Sequence, residues 1–361
     1  MTTKRYLPPS ALHPFLDSLP DTVSKRNLGK SVNALPIQLL TVGEGSCKIL
    51  MWSQMHGNES TTTRALLDFI PWFLSTSQKQ HQNTFTLSII LQLNPDGANA
   101  YTRLNAAGVD LNRDAINLTQ PESQILHSVY NEIKPDYCLN LHGQRTLFSA
   151  GKMGKTASLS FLAPSADPER SVTPSRKKAM QLIVAIKRQL EQELPGQIGR
   201  YDDAFNPNCV GDRFIQLGTP TILFEAGHVP NDYQREKTRK YLFKCFKTLL
   251  NSISSNNFDH TTKEYFEIPE NAKDFVDIII SGVTIEVKGS IYLNQEVAIQ
   301  YREQPKGGEV QFIPVMEEYG LKLPLNAHKR LVFPKNKIEK TLLFEKGKTI
   351  QNEDFYSFCS I

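Results

Sequence analysis

The sequence predicts an α/β fold, in which helices cover both faces of a central sheet, followed by a small β-rich C-terminal domain. Up to about residue 250, apolar strand-like segments alternate with amphipathic helix-like segments. Several strand segments are apolar at successive positions, which is typical of strands buried on both faces. Beyond residue 265, polar and apolar residues alternate between glycine turns and no long helical pattern appears. We therefore predict a large domain over residues 1–252 and a β-rich domain over 265–361.

The elements of the large domain follow from the spacing of apolar residues. Ser60–Ser75 has apolar residues at helical spacing, and Thr84–Leu93 is a leucine-rich and β-branched run that suits a buried strand. The same criteria predict these further elements: strands at Pro36–Val42, Lys48–Gln54, Tyr137–Leu141 and Pro220–Phe224, and helices at Pro121–Ile133, Ser175–Glu193 and Asn231–Leu250. The serine- and asparagine-rich segment after residue 250 is predicted to be a linker.

Composition excludes several classes of function. The 361 residues carry a net charge of only +4, with Lys and Arg scattered among Asp and Glu, so no basic stripe suited to nucleic acid is present. The five cysteines are widely spaced without a CxxC pair, which argues against a disulfide framework and a cysteine zinc site. Neither a signal-peptide pattern nor an apolar run of about 20 residues occurs. We expect a cytoplasmic protein that binds neither nucleic acid nor membrane.

Polar residues of catalytic type follow the predicted buried strands. His56 and Glu59 follow the strand that ends in KILMWSQ, the loop NPDGANAYTRLNAAGVDLNRD follows TFTLSIILQL, His142 follows DYCLNL, and Glu225 follows PTILF. In open α/β sheets, sites form at the carboxyl ends of strands, so we expect these residues to meet. Any one of these signals alone is weak, and it is their combination that predicts a site.

The residue types in this set fit a catalytic zinc. Such an ion takes three nitrogen or oxygen ligands from the protein and keeps one position open, and His56, Glu59 and His142 supply that set. Glu225 is the candidate general base, because a nearby carboxylate can accept the proton of an attacking water. Arg103 or Arg113 is a candidate for stabilising the oxyanion that forms.

These motifs resemble those of a known family. HGNE, the long NPDG…GVDLNRD segment, NLHG and FEAG together are similar to the zinc carboxypeptidases of the carboxypeptidase A type, over about residues 25–250. The resemblance implies a mixed central sheet between two layers of helices, one zinc ion and a peptidase activity. It implies that His56, Glu59 and His142 are the zinc ligands and that Glu225 is the general base.

The resemblance also implies how substrate is held. Arg103 matches the arginine that polarises the scissile carbonyl, and Asn112 and Arg113 match the pair that binds the terminal carboxylate of a peptide. Tyr201 lies in the region of the family's substrate-capping tyrosine, although no tight motif surrounds it. The expected partner is therefore a peptide, or an N-acyl amino acid, with a free carboxylate. The sequence does not indicate an oligomeric state.

Two alternative functions stay open. Gly57-Asn58 stands between the paired zinc ligands where digestive members have an arginine, and HGNE is also how the aspartoacylase and succinylglutamate desuccinylase branch writes this site. That branch deacylates small N-acyl amino acids and often has a C-terminal β domain. The other alternative is a catalytically inactive binding module. The NPDG loop favours the peptidase, and the competent catalytic residue types argue against an inactive module.

Other histidines and acids have simpler explanations. His228 forms an ExxH pair with Glu225, but we do not predict it to be a ligand because Glu225 has another role. We expect the histidines in polar segments to lie on the surface; these are His81, His127, His260 and His328. Asp110 and Asp114 flank Asn112 and Arg113, where either could orient an arginine or a histidine.

Overall fold

The computed structural model describes residues 4–256, 258–333, 341–351 and 353–359. Within these ranges the chain forms a mixed eight-stranded sheet flanked by helices and a separate C-terminal sheet. The predicted fold class is thereby confirmed. The described strands are β1 Ser24–Lys30, β2 Pro36–Val42, β3 Cys47–Ser53, β4 Phe85–Ile90, β5 Tyr137–Gly143, β6 Phe148–Ala150, β7 Leu159–Leu162, β8 Ile198–Arg200, β9 Thr221–Ala226, β10 Asn271–Lys273, β11 Phe275–Val287, β12 Ser290–Lys306, β13 Glu309–Gly320, β14 Asn326–Val332 and β15 Thr341–Leu343.

Most helices flank the large sheet, and α10 packs on the C-terminal sheet. They are α1 His13–Ser18, α2 Thr61–Leu74, α3 Lys79–Thr84, α4 Pro95–Ala100, α5 Pro121–Ile133, α6 Pro174–Leu190, α7 Val210–Gln216, α8 Glu236–Ser254, α9 Thr262–Phe266 and α10 Glu353–Cys359. Every helix and strand predicted in the large domain is present, although some boundaries shift.

The largest boundary shift is at α8, which was predicted to start at Asn231 and starts at Glu236. The Asp232 carboxylate accepts hydrogen bonds from the backbone N–H groups of Glu236 at 2.9 Å and Lys237 at 2.7 Å. Those amides belong to the first turn of the helix and have no partner inside it. Asp232 therefore caps α8, and residues 231–235 form the turn that leads into it.

The order of the large sheet is β1-β2-β4-β3-β5-β9-β7-β8. Its four central strands, β4, β3, β5 and β9, run parallel to one another, whereas β2 and β7 pair antiparallel at their flanks. Parallel strands bring their carboxyl ends to one edge of a sheet. The residues that follow β3, β4, β5 and β9 are therefore gathered at the same edge.

Both faces of this sheet are covered, which explains the continuous apolar runs in its strands. In β3, Ile49 and Met51 belong to the core beneath α2, α6 and α8, whereas Leu50 and Trp52 belong to the core beneath α5 and α7. Successive side chains of a strand point to opposite faces, so a strand between two layers needs apolar residues at every position. All four of these side chains are fully buried.

The C-terminal sheet is long-stranded and has its own core. Its order is β13-β12-β11-β14, and β15 pairs with β11 beyond β14. Isoleucines and valines of β11 and β12 form the core, and α10 closes it where Phe355 stacks on Phe333 at 4.2 Å between ring centroids. The predicted β-rich character is therefore correct. The division into two domains stays a prediction.

Buried polar contacts join the C-terminal sheet to the rest of the chain. The Glu303 carboxylate on β12 accepts hydrogen bonds from the Arg5 guanidinium and, at 2.6 Å, from the Tyr101 hydroxyl. Gln300 of the same strand donates to the Thr146 hydroxyl at 2.6 Å. In addition, β10 pairs with β6 beside the large sheet. The C-terminal sheet is thus attached next to the loop that follows β5.

Among the described residues, no helix is both long and apolar enough to cross a bilayer.

Two glutamate–cation pairs of different burial test how much this attachment stabilises the protein. In Arg5–Glu303 the side chains are 8% and 24% exposed, whereas in Lys4–Glu309 they are 60% and 63% exposed. Removing one member of a buried pair leaves an uncompensated charge, which costs roughly 3–5 kcal/mol. We therefore expect Glu303→Ala to lower the Tm by several degrees. Glu309→Ala should leave the Tm unchanged, and equal shifts in thermal denaturation would contradict the assignment.

Candidate metal centre and active site

The predicted site residues converge at one edge of the large sheet. His56 lies just beyond β3, His142 is the second-last residue of β5, and Glu225 lies near the end of β9. His142 and Glu225 are register partners across the β5–β9 ladder. The loop after β4, which carries Arg103, Asn112 and Arg113, covers the same edge. The sheet therefore brings together residues that are up to 169 positions apart in the chain.

Three side chains form a compact cluster of metal-ligand type. His56, Glu59 and His142 present one ligand atom each within 4.8 Å of one another. The Nδ1 atoms of the two histidines lie 3.0 Å apart, His56 Nδ1 lies 2.9 Å from Glu59 Oε1, and His142 Nδ1 lies 3.0 Å from Glu59 Oε2. Both imidazoles are buried. The three predicted ligands thus direct their donor atoms at one point.

This donor set fits zinc. Two imidazole nitrogens and one carboxylate are a typical catalytic set, and ligand atoms about 2.0–2.1 Å from a tetrahedral ion lie about 3.3 Å from each other. The observed separations of 2.9–3.0 Å need only a small expansion to reach that spacing. Burial alone would lower the pKa of His56, but Glu59 and Asp110 raise it to about 9. A bound cation takes the place of that proton between the ring and the carboxylates.

The HGNE turn is built by close backbone packing. A Cβ atom on Gly57 would lie 1.9 Å from the carbonyl carbon of Gly97, so only glycine fits against α4. Asn94 holds α4 in place, because its side chain accepts a hydrogen bond from Gly97 N at 2.8 Å and donates one to Met55 O at 3.2 Å. The NPDG segment therefore supports the turn that carries His56 and Glu59.

Asp110 links the metal cluster to Arg103. Its Oδ1 atom lies 3.1 Å from His56 Nε2, and its Oδ2 atom accepts hydrogen bonds from Nε and Nη2 of Arg103 at 3.1 and 3.0 Å. A carboxylate on the far nitrogen of a ligating histidine fixes the tautomer and the ring orientation. Asp110 therefore has the orienting position that the sequence left open between it and Asp114. Asp114 instead accepts hydrogen bonds from Thr119 and Gln120 and organises its own loop.

Glu225 has the surroundings of a proton-transfer group. Within the described residues its Oε2 atom is buried and has no hydrogen-bond partner. Burial, reinforced by the negative charge of Glu59, raises the pKa of Glu225 well above its usual range, although His56 and Arg103 act in the opposite direction. The Glu225 carboxyl beside the histidine cluster thus has a high affinity for a proton in the absence of a cation.

The predicted substrate-binding residues lie at different depths around this edge. Arg103 is 46% exposed, and its Nη1 atom lies 3.5 Å from Glu59 Oε1. Asn112 is buried, and its side-chain oxygen accepts a hydrogen bond from Val210 N, at the start of α7, at 3.0 Å. Arg113 is exposed, and its guanidinium donates to the Asn112 carbonyl at 2.7 Å and to Cys209 Sγ at 3.1 Å. Asn112 and Arg113 are thus held between the β4 loop and α7.

Tyr201 lies near the candidate metal cluster and Glu225. Burial raises the pKa of its phenol, and the negative charges of Glu225 and Glu59 add to that effect. Its side chain hydrogen bonds with Asn271 of β10, which also donates to Ser160 Oγ at 2.9 Å. The sequence analysis did not identify Asn271, because it reaches the site through the β6–β10 pairing, which no local pattern indicates.

His228 and His328 occupy a different place from the metal cluster. His228 is buried, and neither of its ring nitrogens has a hydrogen-bond partner among the described residues. Its ring lies 4.4 Å from that of His328, which stacks on Phe275 at 4.6 Å. His328 was expected on the surface and is half-buried, because it lies on β14 and its Nε2 atom contacts the Thr146 carbonyl at 2.8 Å. Among the described residues, the candidate ligand cluster consists of His56, Glu59 and His142 and does not include His228.

Comparison with a family model agrees with this geometry. The model described as zinc carboxypeptidase matches residues 10–201. That range is more than half of the chain and includes His56, Glu59 and His142, together with the β4 loop. Glu225 and the C-terminal sheet lie outside the matched range.

Individual relatives are distant. Carboxypeptidase SOL1 of Arabidopsis thaliana is 28% identical over 138 residues, which cover 32% of this chain and 28% of that protein. A metallo-carboxypeptidase from Burkholderia cenocepacia superposes with a TM-score of 0.56 at 19% identity, covering 70% of this chain and 71% of that one. Carboxypeptidase A from Helicoverpa armigera gives a TM-score of 0.54 at 16% identity, covering 69% and 72%. The solved structures share the fold.

Removing His142 tests the metal cluster. His142→Ala deletes one of three donor atoms, so we expect protein dialysed against a fixed low concentration of free zinc to lose most of its bound metal. His127→Ala, which changes a histidine outside the cluster, should keep the zinc content of the parent protein. Metal content by mass spectrometry and folding by circular dichroism are measured together. A folded His142→Ala protein with full zinc occupancy would contradict the assignment.

Proposed function

The chain belongs to the zinc carboxypeptidase family, and from that premise we propose that it is a metallocarboxypeptidase, which hydrolyses the last peptide bond of a peptide with a free terminal carboxylate. The observation that carries the proposal is the convergence of His56, Glu59 and His142 beside the buried carboxyl of Glu225. We propose that these three side chains hold a single zinc ion. When bound, zinc polarises a carbonyl oxygen and lowers the pKa of water toward about 7.

Glu225 is proposed to move the proton. Its carboxylate accepts a proton from the attacking water as the new C–O bond forms, and it delivers that proton to the leaving nitrogen as the C–N bond breaks. The products are a shortened peptide with a new carboxylate and a free amino acid. The high proton affinity of the buried Glu225 carboxyl supports this role, because the group must hold the proton between the two steps.

Arg103 is proposed to stabilise the oxyanion of the tetrahedral intermediate. Its guanidinium is anchored by Asp110 on one side and remains partly exposed on the other. A cation fixed in advance near the point where negative charge develops stabilises the transition state more than the ground state. Because Asp110 also contacts His56, the same carboxylate orients both the proposed ligand and the proposed oxyanion donor.

Asn112 and Arg113 are proposed to bind the terminal carboxylate of the substrate. A guanidinium can donate two parallel hydrogen bonds to a carboxylate, which adds geometric selectivity to charge attraction. The hydrogen bond from Arg113 to the Asn112 carbonyl keeps the two side chains adjacent. Tyr201 is proposed to close over the bound substrate from the Glu225 side, with its phenol protonated at neutral pH.

Deacylation of small N-acyl amino acids is the second candidate function. The C-terminal sheet supports it, because Glu303 of β12 lines the same cavity of ≈ 140 Å³ as the proposed ligand Glu59. Acyl groups of increasing length separate the two activities. A peptidase cleft accepts an acyl portion of three or more residues, whereas turnover of short acyl amino acids together with inert longer peptides would favour the deacylase.

Replacing Glu225 separates its role from that of a ligand. Glu225→Gln keeps the size of the side chain but cannot accept a proton, so we expect bound zinc to be retained and kcat to fall by roughly 10²–10⁴. Zinc content and steady-state kinetics are measured on the same preparation. Glu132→Gln, an exposed glutamate, serves as the control. Loss of zinc from Glu225→Gln would show that the residue is a ligand instead.

Replacing Arg113 tests recognition of the terminal carboxylate. We expect the parent protein to cleave a free-acid peptide and to leave its C-terminal amide intact. Arg113→Ala removes a hydrogen bond to a charged group, worth roughly 1.5–3 kcal/mol, so kcat/KM for the free acid should fall by about 10- to 100-fold. The exposed Arg26→Ala is the control. Equal cleavage of the acid and the amide by the parent protein would overturn the assignment of Arg113.

A further inference from the structure

A cavity of ≈ 140 Å³ opens beside the proposed metal ligand Glu59. It adjoins a second cavity of ≈ 380 Å³, and the two share Asn58, Arg145 and Glu303 in their walls. Small-molecule sites usually measure about 300–1,000 Å³, so the second cavity alone is large enough to take part of a substrate. The cleft therefore extends from the metal cluster onto the C-terminal sheet.

This extension lies away from Asn112 and Arg113. Glu59 and Arg103 line the first cavity, whereas neither Asn112 nor Arg113 lines either cavity. If the terminal carboxylate of a substrate is held by Asn112 and Arg113, and the scissile carbonyl lies at the metal cluster, the acyl part of the substrate must leave in another direction. The two cavities provide space for this acyl part.

The wall of the first cavity has an excess of positive charge. It contains four guanidinium groups and two carboxylates: Arg5, Arg103, Arg145, Arg235, Glu59 and Glu303. Both carboxylates already have partners. Glu303 accepts hydrogen bonds from Arg5 and Tyr101, and Glu59 accepts from Gly143 N at 2.9 Å and contacts both histidines. Among the described residues, neither carboxylate forms an ion pair with Arg145 or Arg235, although Glu303 raises the pKa of Arg235 from a distance.

Two of these arginines lack a carboxylate partner. Among the described residues, the exposed Arg145 guanidinium forms no hydrogen bond and no ion pair. Arg235 is only 1% exposed. It donates to the carbonyls of Ala226 at 3.3 Å and Gln144 at 3.1 Å, and within the described part of the chain its Nε atom has no partner. Burial lowers the pKa of Arg235 to about 10, so the side chain remains charged at neutral pH.

We propose that the enzyme prefers substrates with a side-chain carboxylate in the acyl part, and that Arg145 binds this carboxylate. The inference rests on the proposed function and names the substrate class of the same site. Arg145 lies three residues after His142 and lines both cavities, so it can reach a group that extends from the scissile bond toward the C-terminal sheet. The buried charge of Arg235 makes the electrostatic potential of the first cavity more positive and favours the same anionic group.

The C-terminal sheet contributes the far wall of this subsite. Gln300, Arg302 and Glu303 of β12 and Val315 of β13 line the second cavity. Arg302 is exposed and donates to the Thr349 hydroxyl at 3.2 Å, whereas Glu303 is neutralised by Arg5. Glu317 of β13 also lines the second cavity and forms no ion pair among the described residues, so this wall holds two guanidinium groups and two carboxylates. The excess of positive charge that suits an acidic acyl group is therefore in the first cavity, which Arg145 also lines.

Matched peptides test the preference. The zinc-loaded protein is assayed with two pairs of N-blocked peptides that all end in the same residue. Within each pair, one peptide has glutamate where the other has glutamine. The changed residue is the first before the scissile bond in one pair and the second in the other. A new charge-assisted hydrogen-bond pair should raise kcat/KM for the glutamyl peptide by about tenfold or more at one of these positions. Arg145→Gln should bring the ratio near one, and Arg145→Glu should favour a lysyl peptide. The exposed Arg26→Gln should retain the parent ratio.

Binding provides a second readout that does not depend on turnover. Calorimetry on the slow Glu225→Gln variant should show tighter binding of the glutamyl peptide, and this difference should disappear in Glu225→Gln combined with Arg145→Gln. Cleavage of all peptides without a glutamyl preference, or a preference that survives Arg145→Gln, would overturn this inference alone. Failure of the parent protein to cleave any of the peptides would overturn the proposed function and the inference with it.

Discussion

The parallel pairing of β4, β3, β5 and β9 is the constraint on which the rest of the site depends. It places the loop ends of four distant segments at one edge, and the register that sets His142 opposite Glu225 fixes the separation of a proposed ligand from the proposed base. A shift of one residue in that register would turn each side chain to the opposite face of the sheet. The two apolar cores that clamp the sheet therefore hold the chemistry as well as the fold.

The carboxylates around the candidate metal cluster suit a bound cation. Among the described residues, Glu59 and Asp110 each contact Arg103 and at least one imidazole, whereas Glu225 forms no ion pair. Without metal, the negative charge of these carboxylates is relieved by protons, which is why the pKa of His56 rises to about 9 and that of Glu225 rises well above its usual range. A divalent ion relieves the same negative charge and leaves Glu225 free to exchange its proton. The electrostatics thus suit a metal centre independently of the ligand geometry.

Local sequence patterns predicted the α/β fold and the side chains that cluster at one edge of its large sheet. The apolar runs of β3, β4 and β5 predict strands because both of their faces are buried, and the motifs at their ends predict which side chains meet. Four strands were not predicted: β1, β6, β7 and β8. The strand β1 is largely exposed, and the other three have only three or four residues, so none has a clear apolar periodicity. Contacts made through tertiary pairing were also missed. Asn271 reaches Tyr201 through β10, and His328 of β14 packs against His228 and Phe275.

The C-terminal sheet has consequences for the active site because of how it is attached. The buried Arg5–Glu303–Tyr101 contacts join the N-terminal segment, the end of α4 and β12 within reach of the proposed metal ligands. These contacts neutralise Glu303, and among the described residues neither Arg145 nor Arg235 forms an ion pair in the wall of the first cavity. The candidate metal ligands could be found from motifs. The charge of the surface that surrounds it depends on pairs nearly 300 residues apart, and only the folded chain reveals it.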